Sequence, residues 1–205
     1  YSGKTYKLTS DIDLYNNEWT PIGTSTKAAF RGSFDGQGYT ISNFKVTKPN
    51  ASSQAALFGT IVSSGTFKNL TIDNVTVLST VKSGETNFYG AGFVATIYGA
   101  ATFEGITIQN SHIQGSGKTG ALIGFNGECA QEVKNCHAIN CVVESTNPED
   151  GGNIGGLVGF WNCVAGGSPA REFIFENCSV VDGTINAYNS TNSGKRANSK
   201  FLGGY

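Results

Sequence analysis

Apolar residues along this chain fall into short alternating runs whose phase slips at intervals. In Phe67–Val77, Leu70 and Ile72 share one face and Val75 and Val77 share a face, yet an odd step separates the two pairs. Side chains alternate across a strand, so one straight strand would put the pairs on opposite sides. A bend between them returns both pairs to the inside. The residue at the slip is Asn74, and its equivalents elsewhere are Asn43, Asn110, Asn140 and Asp182. Asn and Asp enter the left-handed backbone region more readily than other non-glycine residues. A second recurring position carries Asn69, Asn135 and Asn177, with Gly38 and Gly105 in the remaining copies, again a set suited to a bend.

The runs belong to a repeated phrase. AALFG (Ala55–Gly59) leads into FKNLTIDNVTV (Phe67–Val77), and AGFVA (Ala91–Ala95) into FEGITIQNSHI (Phe103–Ile113). GALIG (Gly120–Gly124) leads into VKNCHAINCVV (Val133–Val143), GGLVG (Gly155–Gly159) into FENCSVVDGTI (Phe175–Ile185), and a half-copy, GYTISNFKV, occupies Gly38–Val46. Such self-similarity signals stacked units that bury their apolar faces on one another. The apolar stretches Ala56–Ile61, Gly92–Ile97, Ala121–Phe125 and Gly156–Phe160 supply a third strand per unit. The pattern predicts an all-β chain, a right-handed parallel β-helix (a solenoid) of about five to six coils with three short strands per coil. Equivalent residues would then stack about 4.8 Å apart, and the Asn positions would become ladders.

The expected organisation is one β-helix repeat domain over 1–205: a leader and first coil over 1–46, repeats at 55–77, 91–113, 120–143 and 155–185, and the start of a truncated repeat at 201–205. The chain opens at Tyr1 in mid-phrase and stops at Gly203-Gly204-Tyr205, so it reads as a piece of a longer repeat protein. Corner residues recur at intervals of 30 to 42, so a constant coil carries loops of variable length. The extra residues lie between Val46 and Ala55, Val77 and Ala91, Val143 and Gly155, and Ile185 and Leu202, with a separate insertion at Trp161–Glu172. Helical repeats lack support because no 3.6-residue period occurs. Propeller blades would need four antiparallel strands per unit.

Composition narrows the function classes. The formal net charge is −1, so no basic excess attracts phosphates and nucleic-acid binding is not expected. No apolar run reaches the roughly 18 residues of a membrane-spanning helix, so membrane insertion is not expected either. Five Cys (Cys129, Cys136, Cys141, Cys163 and Cys178) form no CxxC pair, and the odd count argues against a disulfide framework. Cys136 and Cys178 fall at the repeat position of Leu70 and Ile106, which makes them small core residues.

On these motifs the chain resembles the GLUG-repeat proteins. ALFG (Ala56–Gly59), ALIG (Ala121–Gly124) and GLVG (Gly156–Gly159) carry the Gly-Leu-aromatic-Gly type motif, with GFVA (Gly92–Ala95) degenerate. The opening also looks like the family's leader: YKLTSDIDL (Tyr6–Leu14), EWTPIG (Glu18–Gly23) and FRGSFDGQGYTISNF (Phe30–Phe44). Such domains occur in large secreted or surface proteins of bacteria, including adhesin-like proteins and accessory regions of immunoglobulin-cleaving metallopeptidases. The resemblance implies an extracellular or cell-surface β-helix flanked by further repeats of the same polypeptide. It carries no shared catalytic residues.

Candidate chemistry is sparse. A zinc site needs three or four converging ligands, and His112 and His137 sit inside repeats at alternating, outward positions with no HExxH. Asp11 and Asp13 flank Ile12 on one face of a strand, with Ile12 and Leu14 expected inward and the carboxylates in water. Glu85, Glu104, Glu128, Glu132, Glu144, Glu149 and Asp150 are scattered, whereas β-helix lyases and hydrolases need clustered acids. The expectation is a module without catalytic residues, metal or cofactor. Tyr89, Trp161, Arg171 and Tyr188 lie in or beside the insertions and are the candidate binding residues, aromatics beside polar loops suiting a glycan or a host protein. Trp161 has a second reading, as a lid over the coil edge. Three functions compete: an adhesion or spacer module, a β-helix carbohydrate-active enzyme, and a substrate-positioning domain of a secreted peptidase. Open strand edges at the stack ends also predict end-to-end association of the isolated chain.

Overall fold

Each repeat gives one rung to each of three sheets, and the strands within them pair in parallel. The computed structural model describes residues 3–47, 54–78, 89–115, 117–127, 132–145, 153–161, 174–187 and 198–199. Among them there are strands and no helix. The long sheet has 14 strands, the second four (Phe58–Val62, Val94–Tyr98, Ile123–Asn126, Val158–Trp161), and the third five (Gln54–Ala55, Tyr89–Ala91, Lys118–Gly120, Asn153–Gly155, Asn198–Ser199). Walking the chain visits the third, second and long sheets in turn, then climbs one strand. This is the arrangement of a β-helix-like stack.

Register places like residues on like. Tyr6, Phe34, Phe67, Phe103, Val133 and Phe175 are successive partners, as are Ile12, Ile41, Ile72, Ile108, Ala138 and Val180. Val46, Val77, Ile113, Val143 and Ile185 make a third column. Apart from Ile12, they form one continuous apolar core. Phe58, Phe67, Phe93 and Phe103 are fully buried. The Phe67 and Phe103 rings stack with centroids 5.4 Å apart, and Phe93 meets Phe103 edge-on at 6.0 Å.

The long sheet bends where the hydrophobic phase slips. Asn43, Asn74, Asn110, Asn140 and Asp182 all have φ between 51° and 57°, in the left-handed region. Asn74 Nδ2 donates to Asn43 Oδ1 at 2.6 Å, and Asn140 Nδ2 to Asn110 Oδ1 at 2.9 Å. Asn110 Nδ2 reaches Asp73 Oδ1 instead, at 2.8 Å, and Asn43 Nδ2 reaches Asp13 Oδ1 at 2.9 Å. The second corner set is also left-handed: Asn69, Asn135 and Asn177 at φ 51° to 54°, Gly38 at 82° and Gly105 at 62°.

The structure departs from the expected coil in three places. The apolar stretch Ala56–Ile61, read as a single third strand, begins with a turn at Ala56-Leu57 and continues as Phe58–Val62 of the second sheet, while Gln54–Ala55 before the turn belongs to the third sheet. Leu57, at the turn, and Phe58, which opens the next strand, are both buried in the core. A small residue lets neighbouring backbone close on the equivalent turn of the next coil; a Cβ at Gly92 would lie 2.8 Å from the Ala121 carbonyl oxygen. The leader adds a layer of its own, Thr5–Lys7 and Ile12–Glu18, before Ser33–Asp35 and Thr40–Val46. Its EWTPIG segment stands where later coils carry the turn: the Trp19 indole N–H and the Ile22 N–H both donate to the Leu57 carbonyl at 3.0 Å. Finally, Ile12 stacks on Ile41 but is 37% exposed, because it lies in this outermost layer.

Replacing Asn110 separates the two roles of a corner amide. Asn110→Gly keeps the left-handed backbone and loses the ladder bonds, an expected cost of about 1 kcal/mol. Asn110→Ala adds the left-handed penalty of an ordinary side chain, for a total of about 2 kcal/mol. Urea melts of the two variants measure the difference; equal losses would show that the corner imposes no conformational demand.

Candidate functional site

Outward positions of the long sheet form columns too, and one is charged. Lys7, Asp35, Lys68, Glu104, Lys134 and Glu176 are successive register partners, alternating in sign at every step. Lys68 Nζ lies 3.9 Å from Asp35 Oδ2, and Lys134 Nζ lies 3.9 Å from Glu176 Oε2 and 3.2 Å from Glu132 Oε2. The hydrogen bond and charge of Glu132, joined by Glu176 and Glu104, hold the Lys134 ammonium above its ordinary range. A slip of one coil would set like charge on like, so the column opposes misregister.

The carboxylates beside these columns are saturated. Burial alone would raise the Asp35 pKa, but its carboxylate is held below the usual range. It accepts from Gln37 N at 2.9 Å, Gln37 Nε2 at 2.6 Å and Asn69 Nδ2 at 3.2 Å, with Lys68 beyond. Glu144 is likewise lowered, first by Asn186 Nδ2 at 2.8 Å and then by His112 Nε2 at 2.9 Å. His137 Nδ1 pairs with Ser179 Oγ at 2.8 Å. Neither histidine belongs to a metal-type cluster; among the described residues no group of three or more His, Cys, Asp or Glu converges. Cys136, Cys141 and Cys178 are free thiols, and burial pushes the Cys136 thiol up to about 12. Such thiols are poor nucleophiles at neutral pH. Cys129 and Cys163 lie outside the described residues.

Two surface features remain that could meet a ligand. The first is an open cleft of about 460 Å³ at the second corner, lined by Gln37, Gly38, Asn69, Leu70, Thr71 and Gly105. The second lies on the second sheet, where Thr60, Thr96, Phe125 and Phe160 are successive partners. The two threonines are buried and bonded through Gln54: Thr60 Oγ1 donates to Gln54 Oε1, and Gln54 Nε2 donates to Thr96 Oγ1 at 3.1 Å. In later coils the column turns aromatic. Phe125 and Phe160 stack at 5.8 Å, Tyr98 meets Phe125 edge-on at 6.2 Å, and Lys118 Nζ lies 5.1 Å from both phenyl centroids. Burial lowers the Lys118 pKa.

Of the sequence-predicted binding residues, Tyr89 opens Tyr89–Ala91 in the third sheet, at the register position between Gln54 and Lys118. Trp161 closes Val158–Trp161, in register with Asn126. Their backbones thus flank the aromatic row; their side chains, and Arg171 and Tyr188 entirely, lie outside the described residues. Sequence reasoning passed over Phe125, Phe160 and Lys118. The available signal was the aromatic that follows the small residue in both IGF and VGF, where earlier copies have Thr.

No family model matches the chain. It is 34% identical over 104 residues to halomucin of Haloquadratum walsbyi, in an alignment taking in 46% of this chain and 1% of that protein. The chain therefore corresponds to a very small part of that relative. A solved structure from Bacteroides ovatus, described as a candidate immunoglobulin A1 protease, superposes with a TM-score of 0.58 at 18% identity, over 98% of this chain and 77% of that one. At that identity the likeness is one of fold.

The charged column yields a salt test. Glu104→Lys would place three cations in a row and is expected to cost about 1 kcal/mol at low ionic strength. The loss should largely vanish in 1 M salt, where screening acts within about 3 Å; thermal melts in both buffers check this. A second expectation concerns acid. Asp35 and Glu144 bind protons less readily folded than unfolded, so the stability they lend is present above the usual carboxylate range. It is lost as pH falls through their lowered folded values. Glu144→Gln should flatten that acid limb of a stability–pH profile, and an unchanged limb would rule Glu144 out as a contributor.

Proposed function

We propose that this chain is a non-catalytic repeat module of an extracellular or cell-surface protein, acting as an adhesive ligand-binding domain or as a spacer. In this reading it winds as a right-handed β-helix of the GLUG-repeat kind, continues into flanking repeats of the same polypeptide, and meets a glycan or a host protein. One observation carries the proposal. Along the charged column and the asparagine ladders, polar side chains pair with neighbours one coil away. Catalysis needs the opposite, groups converging on one point with shifted and available protons. Asp35 and Glu144, the carboxylates best placed for such work, are held ionised by structural donors.

The halomucin likeness supports a surface or secreted setting. The fold shared with the Bacteroides ovatus protein supports a second reading, a substrate-positioning domain of a secreted peptidase, whose chemistry would lie elsewhere in the polypeptide. A carbohydrate-active β-helix enzyme rests on fold analogy alone.

Incubation with polyuronates and neutral glycans, with and without Ca²⁺, is expected to release no product, while glycan-array or host-protein screens give retention. Cleavage of any glycan would overturn the non-catalytic reading. Silence in every binding screen would leave only the spacer.

A further inference from the structure

The second corner column has a missing rung. Its members are Gly38, Asn69, Gly105, Asn135 and Asn177, all with left-handed backbones. Where two asparagines are adjacent, the later one donates to the earlier: Asn177 Nδ2 to Asn135 Oδ1 at 2.7 Å. Register sets Gly105 between Asn69 and Asn135, because Lys68, Glu104 and Lys134 are partners on one side and Thr71, Thr107 and His137 on the other. Gly105 has no side chain to continue the ladder. Asn69 Oδ1, 3.5 Å from the point where a Gly105 Cβ would sit, therefore has no donor among the described residues, and Asn135 Nδ2 has no acceptor. Asn69 keeps its own Nδ2 on Asp35 at 3.2 Å. The gap at Gly105 opens into the cleft lined by Gln37, Gly38, Asn69, Leu70, Thr71 and Gly105.

From this geometry we infer that the gap takes a ligand amide, and that the ligand is an N-acetylated amino sugar. This rests on the binding-module reading above. The vacancy asks for an N–H directed at Asn69 and a C=O directed at Asn135, two coils or about 9.6 Å apart along the column. A trans secondary amide presents its N–H and C=O in opposite directions, as the acetamido group of a hexosamine does. Leu70 turns its side chain into the core, and Gln37 and Thr71 offer ring hydroxyls polar partners at the rim of the cleft. The charges beside the cleft balance, with Lys68 set between Asp35 and Glu104 in the charged column, which suits an uncharged sugar. A peptide fits less well. Strand addition needs a free sheet edge, and the strands on both sides of Gly105 are paired coil to coil.

The test uses oligomers of N-acetylglucosamine and their de-acetylated counterparts, titrated against the whole chain by calorimetry and by amide NMR shifts. The acetylated oligomers should bind at least about tenfold more tightly, since two amide hydrogen bonds are at stake. Gly105→Asn should abolish binding and raise Tm, because Asn holds this conformation at positions 69, 135 and 177 of the same column and its Cβ meets only ordinary contacts. Asn135→Asp should abolish binding too, since a carboxylate cannot donate to the acetamido oxygen. Equal binding of the acetylated and de-acetylated oligomers, or full binding by both variants, would overturn the inference. Retention of another glycan or a host protein, unaffected by Gly105→Asn, would also overturn it while leaving the binding-module reading intact.

Discussion

Parallel coils spaced about 4.8 Å apart make each residue's nearest neighbour its own counterpart in the next coil. That single constraint organises the molecule. It favours residues that pack or bond with copies of themselves, which is why phenylalanine follows phenylalanine and isoleucine follows isoleucine down the core. Asparagine suits it as well, since one amide carries both a donor and an acceptor and can bond to an identical group. Charge does not suit it. A column of one sign would repel itself at every step, and the observed alternation from Lys7 to Glu176 removes that penalty.

The left-handed corners answer a second demand of the same stack. Each coil must turn sharply without losing coil-to-coil backbone pairing. A residue at φ near 50° reverses the pleat within one position, and the Asn side chain on it then joins a ladder. Backbone strain and side-chain bonding therefore meet on one residue. The corner columns tolerate Gly or Asp but hold no branched or aromatic residue from Asn43 to Asp182.

What could be read from the sequence follows from where the pattern carries phase. The corners at Asn74 and its equivalents were legible because alternation on either side disagrees, and only a bend reconciles it. The turn inside AALFG was not legible: every residue there is small or apolar, so Leu57 and Phe58 reveal no phase to slip. The alternating charges were invisible for another reason. Lys68 and Glu104 are remote in the chain, and their relation exists only once coils are placed in register. The aromatic row was missed because Phe125 and Phe160 replace Thr60 and Thr96 at one repeat position, a contrast that emerges only when copies are aligned rung by rung.

A lattice of self-satisfying columns also dictates where recognition can occur. Where a column is complete, its polar groups are spent on neighbours and its face is inert toward solutes. A foreign molecule gains hydrogen bonds only where the repeat is broken. Gly105 interrupts an amide column and leaves a donor and an acceptor facing each other across a gap. Phe125 and Phe160 interrupt a hydroxyl column and bring Lys118 over their rings. In a protein of this kind conformity to the repeat maintains the stack, and departures from it are the positions at which selection for a ligand can act without unravelling the fold.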